Sequence, residues 1–356
     1  MSTKSRLLEL LEQNRGKYLS GNELAKMLDV SRTAVWKGMK SLQQEGYSIT
    51  AVTNKGYLLE EDNNILSEEA VRLQLKNTEV LVEVWKEIAS TNQRMKQLAV
   101  EKRLPHGSVV VAQLQTEGKG RKGRKFYSPK DSGLYLSVLL YPEKTAQKSL
   151  EITAAAAVAV CKAVENCCGV SLGIKWVNDL YLENKKVCGI LTEAVTDFET
   201  GDIEFVVVGI GLNLYEPTGG FPKELKEKAG AILPDGQKVD KNKLVGELVN
   251  QLLLETEKSG IPQEYISRNI VPGKKIQIIF GETKREVIAK EILSDGKLLA
   301  INEKDEEEIF PSGCFCKVVN EYGCCREYIS CMFLATAFYV IKKCSSFSEA
   351  LEDMDI

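Results

Sequence analysis

The chain has 356 residues, which is enough for two or three domains with a substantial buried core. Its 47 Lys and Arg nearly balance its 50 Asp and Glu, so binding to nucleic acid through overall charge is excluded, and any such contact needs a local basic patch. A single histidine, His106, argues against a histidine metal site or catalytic triad, and we expect it to be structural. The amino terminus lacks a signal-peptide pattern, which predicts a cytoplasmic protein without membrane association.

Residues 1–62 are predicted to form a winged helix-turn-helix unit. Leucines at helical spacing begin it, and Ser20 with Glu23 forms a capping-box pattern at the start of a second helix. Ser31 is placed to cap a third helix that runs to about Glu45, and residues 47–59 have the pattern of two strands around a turn.

The third helix of this unit carries a local positive face with no acidic residue before Glu45. Such a face suits phosphate and base-edge contacts in a major groove. A helical bundle with a solvated basic face is the alternative, but the turn, the cap and the wing together favour DNA binding. The predicted DNA-binding residues are Arg32, Thr33, Trp36, Lys37 and Lys40.

After a short polar linker at 61–66, residues 63–270 mix strands and helices without regular alternation. This pattern predicts an α+β unit in which helices pack on one mixed sheet. Residues 271–320 contain four short strand patterns separated by turns, which suggests a small β-barrel of the SH3-like type.

The ten cysteines are not spaced as paired Cys-x2-Cys motifs, so we expect reduced thiols rather than a metal site from Cys or His. The stretch 321–356 is an atypical Cys-rich tail with a 14-residue apolar run at 328–341, too short for a confident membrane span. It is interpreted as a helix that docks on the barrel or, with slight preference, as a read-through or frameshifted end without selected function.

A glycine-rich basic loop occupies residues 118–129 and reads GKGRKGRKFYSP. Glycine allows backbone N–H groups to approach an anion closely, and the five basic side chains add charge-assisted donors. The loop lacks the spacing of a P-loop or a dinucleotide fingerprint. Taken alone, it could bind an anionic small molecule, be a solvated basic loop or be a nucleic-acid patch.

Further motifs stand in a fixed order around this loop: STN at 90–92, AQLQT at 112–116, KWVNDL at 175–180, KKVCGILTE at 185–193 and GIGLN at 209–213. This ordered set resembles the biotin protein ligases over roughly residues 1–320. With the amino-terminal unit included, the chain is similar to the bifunctional bacterial type, which is both ligase and biotin-operon repressor. The resemblance implies a central ligase domain that is class II synthetase-like.

The family's reaction, as the resemblance implies, joins biotin to a lysine of a biotin carboxyl carrier protein. Biotin and ATP first give biotinyl-5′-AMP and pyrophosphate, and the acceptor lysine then expels AMP. The implied cofactors are ATP and Mg²⁺, and the implied partners are biotin, the carrier protein and operator DNA. A repressor that recognises a two-fold operator further implies a homodimer.

Site residues are carried over motif by motif from the resemblance. Lys186, Arg121 and Asp179 are the implied catalytic residues, and Mg²⁺ with ATP is expected near Asp179 and Asn213. The implied ATP-binding residues are Arg124, Phe126, Asn178 and Asn213. The implied biotin-binding residues are Ser90, Thr91, Asn92, Gln115, Lys119, Gly120, Arg121 and Lys186.

Three positions depart from the family's usual pattern: Lys119 replaces arginine, Phe126 replaces tryptophan and Val177 replaces proline. None of these removes an essential charge, so affinity is expected to change but not the reaction class. Two rival functions remain at this point: a lipoate or octanoyl ligase of the same superfamily, and a regulator that senses biotin through an inactive ligase domain.

Overall fold

A computed structural model describes residues 2–142, 148–196, 199, 202–280, 283–311 and 315–318. The Cys-rich tail predicted at 321–356 lies outside these residues. Within them, no helix is long and apolar enough to cross a lipid bilayer.

The amino-terminal unit is a helix-turn-helix with a short hairpin, as predicted. Ser20 caps its second helix with a complete capping box, in which Ser20 Oγ accepts from the Glu23 N–H and the Glu23 carboxylate accepts from the Ser20 N–H. Leu7, Leu24 and Met39 are buried in a core of its own. The elements are α1 (Thr3–Gln13), α2 (Gly21–Leu28), α3 (Arg32–Gln44), β1 (Ile49–Val52) and β2 (Gly56–Leu59).

The central region is built on a seven-stranded mixed sheet, which confirms the predicted α+β architecture. Its order is β3-β4-β5-β9-β8-β7-β6, and only the β3–β4 pair is parallel. The strands are β3 (Val82–Trp85), β4 (Val109–Ala112), β5 (Gly133–Leu140), β6 (Gly173–Lys175), β7 (Asp179–Leu182), β8 (Lys185–Thr196) and β9 (Ile203–Asn213).

Helices cover both faces of this sheet, so the strands β4, β5 and β9 are apolar at most positions. Val109 and Val111 belong to the same buried cluster as the alanine-rich helix on one face, whereas Val110 packs in a second cluster on the other face. The helices of this region are α4 (Glu68–Gln74), α5 (Thr91–Glu101), α6 (Lys148–Cys168), α7 (Lys241–Thr256) and α8 (Gln263–Ser267). Of these, α6 and α7 pack on the first face and α5 on the second.

The carboxy-terminal region is a five-stranded antiparallel sheet with the order β13-β12-β11-β10-β14. Trp176 joins it to the central region, because its buried Nε1–H donates to the Gly296 carbonyl at 2.9 Å. The strands are β10 (Lys275–Phe280), β11 (Thr283–Ile292), β12 (Leu298–Ile301), β13 (Glu307–Phe310) and β14 (Phe315–Val318).

The predicted linker is fastened to the start of α7 by two asparagine side chains. Asn64 Oδ1 accepts from the Lys241 N–H at 3.0 Å, and its Nδ2 donates to the Val239 carbonyl. Asn242, which is 1% exposed, accepts from the Ser67 N–H at 3.1 Å and donates to the Ile65 carbonyl at 2.9 Å. The segment between the two units is therefore a fixed part of the central fold.

We expect Asn242→Ala to lower the free energy of unfolding by about 2–4 kcal/mol, because the buried N–H of Ser67 and the half-buried carbonyl of Ile65 lose their partner together. Denaturant titration followed by circular dichroism measures this change.

Asn250 provides a matched control for this substitution. It makes the same pair of bonds at the surface, accepting from the Lys76 N–H at 2.9 Å and donating to the Gln74 carbonyl at 2.8 Å. Water can replace both partners there, so Asn250→Ala is expected to cost less than about 1 kcal/mol. If the two variants lost the same free energy of unfolding, burial of the bonds could not explain the effect of Asn242→Ala.

Candidate active site

A pocket opens on the α5 face of the central sheet, beside the first turn of that helix. The glycine-rich loop and strands β7, β8 and β9 complete it. All the predicted substrate- and nucleotide-binding residues except Asn213 line this pocket, and their individual roles stay predictions. The lining residues are Ser90, Thr91, Asn92, Gln115, Lys119, Gly120, Arg121, Arg124, Lys125, Phe126, Asn178, Asp179, Lys186, Gly189, Ile190, Leu191, Gly209, Ile210 and Gly211.

The first turn of α5 is tied to the loop that follows β4. Ser90 is the N-cap of α5 and accepts a hydrogen bond from the Gln93 N–H. Gln115 Oε1 accepts from both the backbone N–H and the hydroxyl of Thr91, at 2.9 and 3.1 Å. Because Gln115 Nε2 also donates to Ser128 Oγ at 3.2 Å, this side chain holds three segments of the pocket wall together.

Asn92 lies in a polar network that the sequence did not predict. Its Nδ2 donates to the Glu193 carboxylate at 2.7 Å and to the Leu191 carbonyl at 3.4 Å, and its Oδ1 accepts from Ser137 Oγ. Lys96 also donates to Glu193, at 2.9 Å. Burial opposes the ionisation of Glu193, but the hydrogen bonds from Asn92 and Lys96 outweigh it and lower the pKa of this carboxyl.

The glycine-rich loop folds back on itself as a narrow hairpin. The Phe126 N–H donates to the Gly118 carbonyl at 2.8 Å, and the Gly120 N–H donates to the Arg124 carbonyl at 2.7 Å. A 3-10 turn over Arg121–Gly123 closes the hairpin. A Cβ at Gly118 would lie 2.6 Å from the Phe126 carbonyl oxygen, so only glycine allows the two strands of the loop to approach in this way.

The ring of Phe126 rests on two glycines that face each other across adjacent strands. Gly189 of β8 pairs with Gly211 of β9, and a Cβ on either residue would lie within 3.0 Å of the ring, at 2.9 and 2.4 Å. The edge of Tyr135 meets the ring at a centroid distance of 6.4 Å, and Lys186 Nζ lies 5.9 Å from its centroid. The aromatic floor of the pocket therefore depends on the absence of two side chains.

The rim of the pocket is strongly cationic, with five Lys and Arg side chains against one carboxylate among its lining residues. Lys186 Nζ forms an ion pair with Asp179 Oδ1 at 2.6 Å. Arg121 donates to Asn178 Oδ1 at 3.2 Å, and Asn178 Nδ2 donates to the Ile190 carbonyl at 2.6 Å. This concentration of positive charge can attract an anion.

Asn213 lies outside the pocket lining, at the end of β9. Its Nδ2 donates to the Gly230 carbonyl at 3.1 Å. The same segment pairs with the backbone of Lys186, whose N–H donates to Lys228 and whose carbonyl accepts from Gly230. Asn213 therefore supports the segment that pairs with Lys186, and its predicted contact with the nucleotide stays a prediction.

Among the residues that the structure describes, neither a thiol nor His106 lines this pocket. Burial raises the pKa of the Cys188 thiol well above its usual value, and the four cysteines Cys161, Cys167, Cys168 and Cys188 are free. His106 Nδ1 accepts from the Tyr141 N–H at 3.1 Å, a structural contact as predicted. In the part of the chain that the structure describes, no cluster of three or more His, Cys, Asp or Glu could hold a metal ion.

A second groove lies between α3 and the wing of the amino-terminal unit. Four of the five predicted DNA-binding residues line it, namely Arg32, Thr33, Trp36 and Lys40. Trp36 is 51% exposed, which is unusual for so large an apolar side chain without a partner surface. Lys37 is exposed but lies outside the groove lining.

Comparisons with known proteins match both units. Residues 84–213 match the biotin/lipoate A/B protein ligase family, and residues 3–58 match a helix-turn-helix domain. The chain is similar to the solved biotin protein ligase from Aquifex aeolicus in complex with biotin and ATP, with a TM-score of 0.57 and 25% identity, over 67% of this chain and 99% of that one.

Two curated relatives extend the match across both units. The bifunctional ligase/repressor BirA of Bacillus spizizenii is 35% identical over 271 residues, which is 75% of this chain and 81% of the relative. The protein of the same name from Salmonella typhimurium is 30% identical over 80% of this chain and 88% of the relative. From the pocket, the groove and these matches together, we conclude that this chain belongs to the family of bifunctional ligase/repressor proteins.

Proposed function

We propose that the protein ligates biotin to a lysine of biotin carboxyl carrier proteins through biotinyl-5′-AMP and represses biotin genes in response to biotin. The observation that carries the ligase half is the convergence on one pocket of the buried polar turn 90–92, the basic loop and Lys186. The exposed basic groove of the amino-terminal unit carries the repressor half.

The first step joins two anions, and the cationic rim supplies what that step needs. An oxygen of the biotin carboxylate attacks the α-phosphorus of ATP, the bond to the β-phosphate oxygen breaks, and pyrophosphate leaves. Lys186 and Arg121 are proposed to offset the repulsion between the reactants and to stabilise the charge that develops at phosphorus. No side chain has to act as a nucleophile, so the burial of Cys188 does not limit the reaction.

The two ends of biotin are assigned to two successive glycine positions on β9. Asn92 lies over Gly209, and Phe126 and Lys186 lie over the pair formed by Gly211 and Gly189. Positions two residues apart on one strand face are separated by about 7 Å. The ureido ring is proposed to bind at the first position, with its carboxylate end directed towards the second.

For the biotin ring, Ser90, Thr91, Asn92 and Gln115 supply polar contacts inside an otherwise apolar slot. The backbone of Gly120 and the side chains of Lys119 and Arg121 cover it from the loop side. These assignments account for burial of the 90–92 turn, whose three residues are at most 7% exposed.

ATP is assigned to the loop end of the pocket, with Arg124, Phe126 and Asn178 as its contacts. Magnesium fits this pocket only as an ion carried on the phosphates, because the lining offers one carboxylate, Asp179, and that carboxylate is paired with Lys186. When bound, the ion would neutralise phosphate charge. Asn213 is proposed as a further contact of the nucleotide and its magnesium ion, next to its bond to the Gly230 carbonyl.

In the second step, the lysine amine of the carrier protein attacks the acyl carbon of the adenylate, and AMP leaves with the electrons of the broken C–O bond. Asp179 is proposed to orient this amine, because it is the only carboxylate among the described lining residues. A lysine that approaches Asp179 would share the carboxylate with Lys186.

The repressor half is assigned to residues 1–62, with α3 in a major groove and the hairpin as wing. A two-fold operator requires a homodimer, formed when the adenylate is bound. We also propose the boundaries 63–270 for the ligase domain and 271–320 for an SH3-like barrel. The pairing of the last strand, β14, with the first, β10, supports the barrel.

Lys186→Ala is expected to slow biotin-dependent ATP–pyrophosphate exchange, because one cation between two anionic reactants is lost. The activation barrier should rise by about 2–4 kcal/mol. Its neighbour Lys185 is exposed and outside the pocket, so Lys185→Ala is the matched control and should stay near wild type. Exchange by Lys186→Ala within threefold of wild type would rule out this role. Exchange supported by lipoate but not by biotin would instead identify the rival ligase.

Arg121→Gly is expected to release biotinyl-5′-AMP faster than wild type while binding ATP with little change, because the loop that covers a reactive mixed anhydride is loosened. Biotin transfer to a bystander protein such as albumin measures the release. Lys130→Gly, an exposed position just after the loop, is the control. A wild-type release rate in Arg121→Gly would mean that the loop is not a cover.

The double substitution Arg32→Ala with Lys37→Ala is expected to weaken operator binding. The slope of log affinity against log salt concentration should also become less steep, by the amount expected for about two fewer phosphate contacts. Gel shifts over a salt series measure both effects. Lys102→Ala with Arg103→Ala removes the same charge from an exposed site in the central region and serves as control. Deletion of residues 1–62 should abolish operator binding but leave ligation.

Operator affinity of the wild-type protein should rise when biotin and ATP are both present. Equal affinity with and without them would reject the repressor half and leave the ligase half standing.

A further inference from the structure

The amide of Asn92 lies across three neighbouring strands at a single row of the sheet. Ser137 of β5, Gly209 of β9 and Leu191 of β8 are register partners in that row. A Cβ at Gly209 would lie 2.1 Å from Asn92 Oδ1, so the amide rests directly on the glycine. Its oxygen is directed to Ser137, and its nitrogen is directed to Leu191 and to Glu193, two residues further along β8.

Two of these three partners can only accept a hydrogen bond, and Glu193, which is much the nearer to Nδ2, contributes most to which way the amide points. The Ser137 hydroxyl can donate or accept, and the Leu191 carbonyl is 3.4 Å away. Glu193 is 2.7 Å from Nδ2, and a carboxylate held ionised accepts hydrogen bonds but cannot donate them. The lowered pKa of Glu193 and its bond from Lys96 keep it in this state.

We propose that Glu193 is a positioning residue that locks the amide of Asn92 so that the pocket receives a hydrogen-bond acceptor, Oδ1, and not a donor. This inference rests on the proposed function, since the group to be recognised is a ring N–H of the biotin ureido. Glu193 does not line the pocket, and Asn92 is the lining residue to which it is hydrogen-bonded, while the charge of Lys119 acts on it from the loop.

A locked acceptor selects the substrate class. A ring that presents an N–H at this position is bound, whereas a ring with an oxygen there places two acceptors against each other. An amide that is free to flip would offer its Nδ2 to such an oxygen, and the pocket would then no longer discriminate between a ring N–H and a ring oxygen.

The test compares biotin with its two cyclic carbamate analogues, in each of which one ring N–H is replaced by oxygen. Dissociation constants are measured by calorimetry on the full chain without ATP, for wild type, Glu193→Leu, Glu193→Gln and the control Glu204→Leu. Glu204 is an exposed carboxylate on the neighbouring strand β9. Thermal unfolding of each variant confirms that it is folded.

Glu193→Leu is expected to weaken biotin binding by about tenfold or more, because the Nδ2 group loses its acceptor. The Glu193→Leu variant should nevertheless bind one of the two analogues at least as tightly as the wild-type protein does. Glu193→Gln keeps an acceptor oxygen and should restore most of the discrimination, and Glu204→Leu should match wild type.

Equal losses for biotin and both analogues in Glu193→Leu would reduce Glu193 to a structural residue and overturn the inference. Wild-type discrimination in Glu193→Leu would overturn it as well. A wild-type protein that does not bind biotin would instead overturn the proposed function.

Discussion

The site depends on the close approach of two segments to one strand of the central sheet. At Gly209 the first turn of α5 reaches the backbone of β9, and at Gly211 the aromatic ring of the basic loop does the same. Either contact would be blocked by a single methyl group. Because β9 is a middle strand, paired on both sides over nearly its whole length, it cannot move away to make room. The two glycines therefore set the depth of the pocket.

The layered architecture explains why such a rigid floor is available. Buried clusters on both faces fix the sheet, and α6 and α7 leave the opposite face to α5 and the loop. The polar groups in the row around Asn92 would be costly inside an apolar layer, but Asn92 bonds to Ser137 on one side and to Glu193 on the other. The cations, in contrast, stand at the rim, where solvent reduces their mutual repulsion.

Local signals in the sequence predicted a large part of this structure. The Ser20–Glu23 capping pattern, the hairpin of the wing and the basic loop each lie within a few adjacent residues, so the sequence reveals them directly. The ordered motifs also predicted which residues share a pocket. Domain boundaries and the roles of single side chains stay predictions.

Contacts between distant strands could not be predicted in the same way. Ser137 and Glu193 meet Asn92 only because β5, β9 and β8 are neighbours, and a single sequence does not state that order. For the same reason, a single sequence does not show that Gly189 and Gly211 are paired across two strands. The nucleotide contact of Asn213 stays a prediction, and the sequence did not reveal that its side chain donates to the Gly230 carbonyl at the end of β9.

The ion pair between Lys186 and Asp179 has a consequence for how a ligand enters. A carboxylate that takes the place of Asp179 beside Lys186 exchanges one ion pair for a similar one, so it gains little from that contact alone. The resting pair thus holds Lys186 in place before a ligand arrives, and the affinity for a carboxylate ligand has to come from its contacts elsewhere in the pocket.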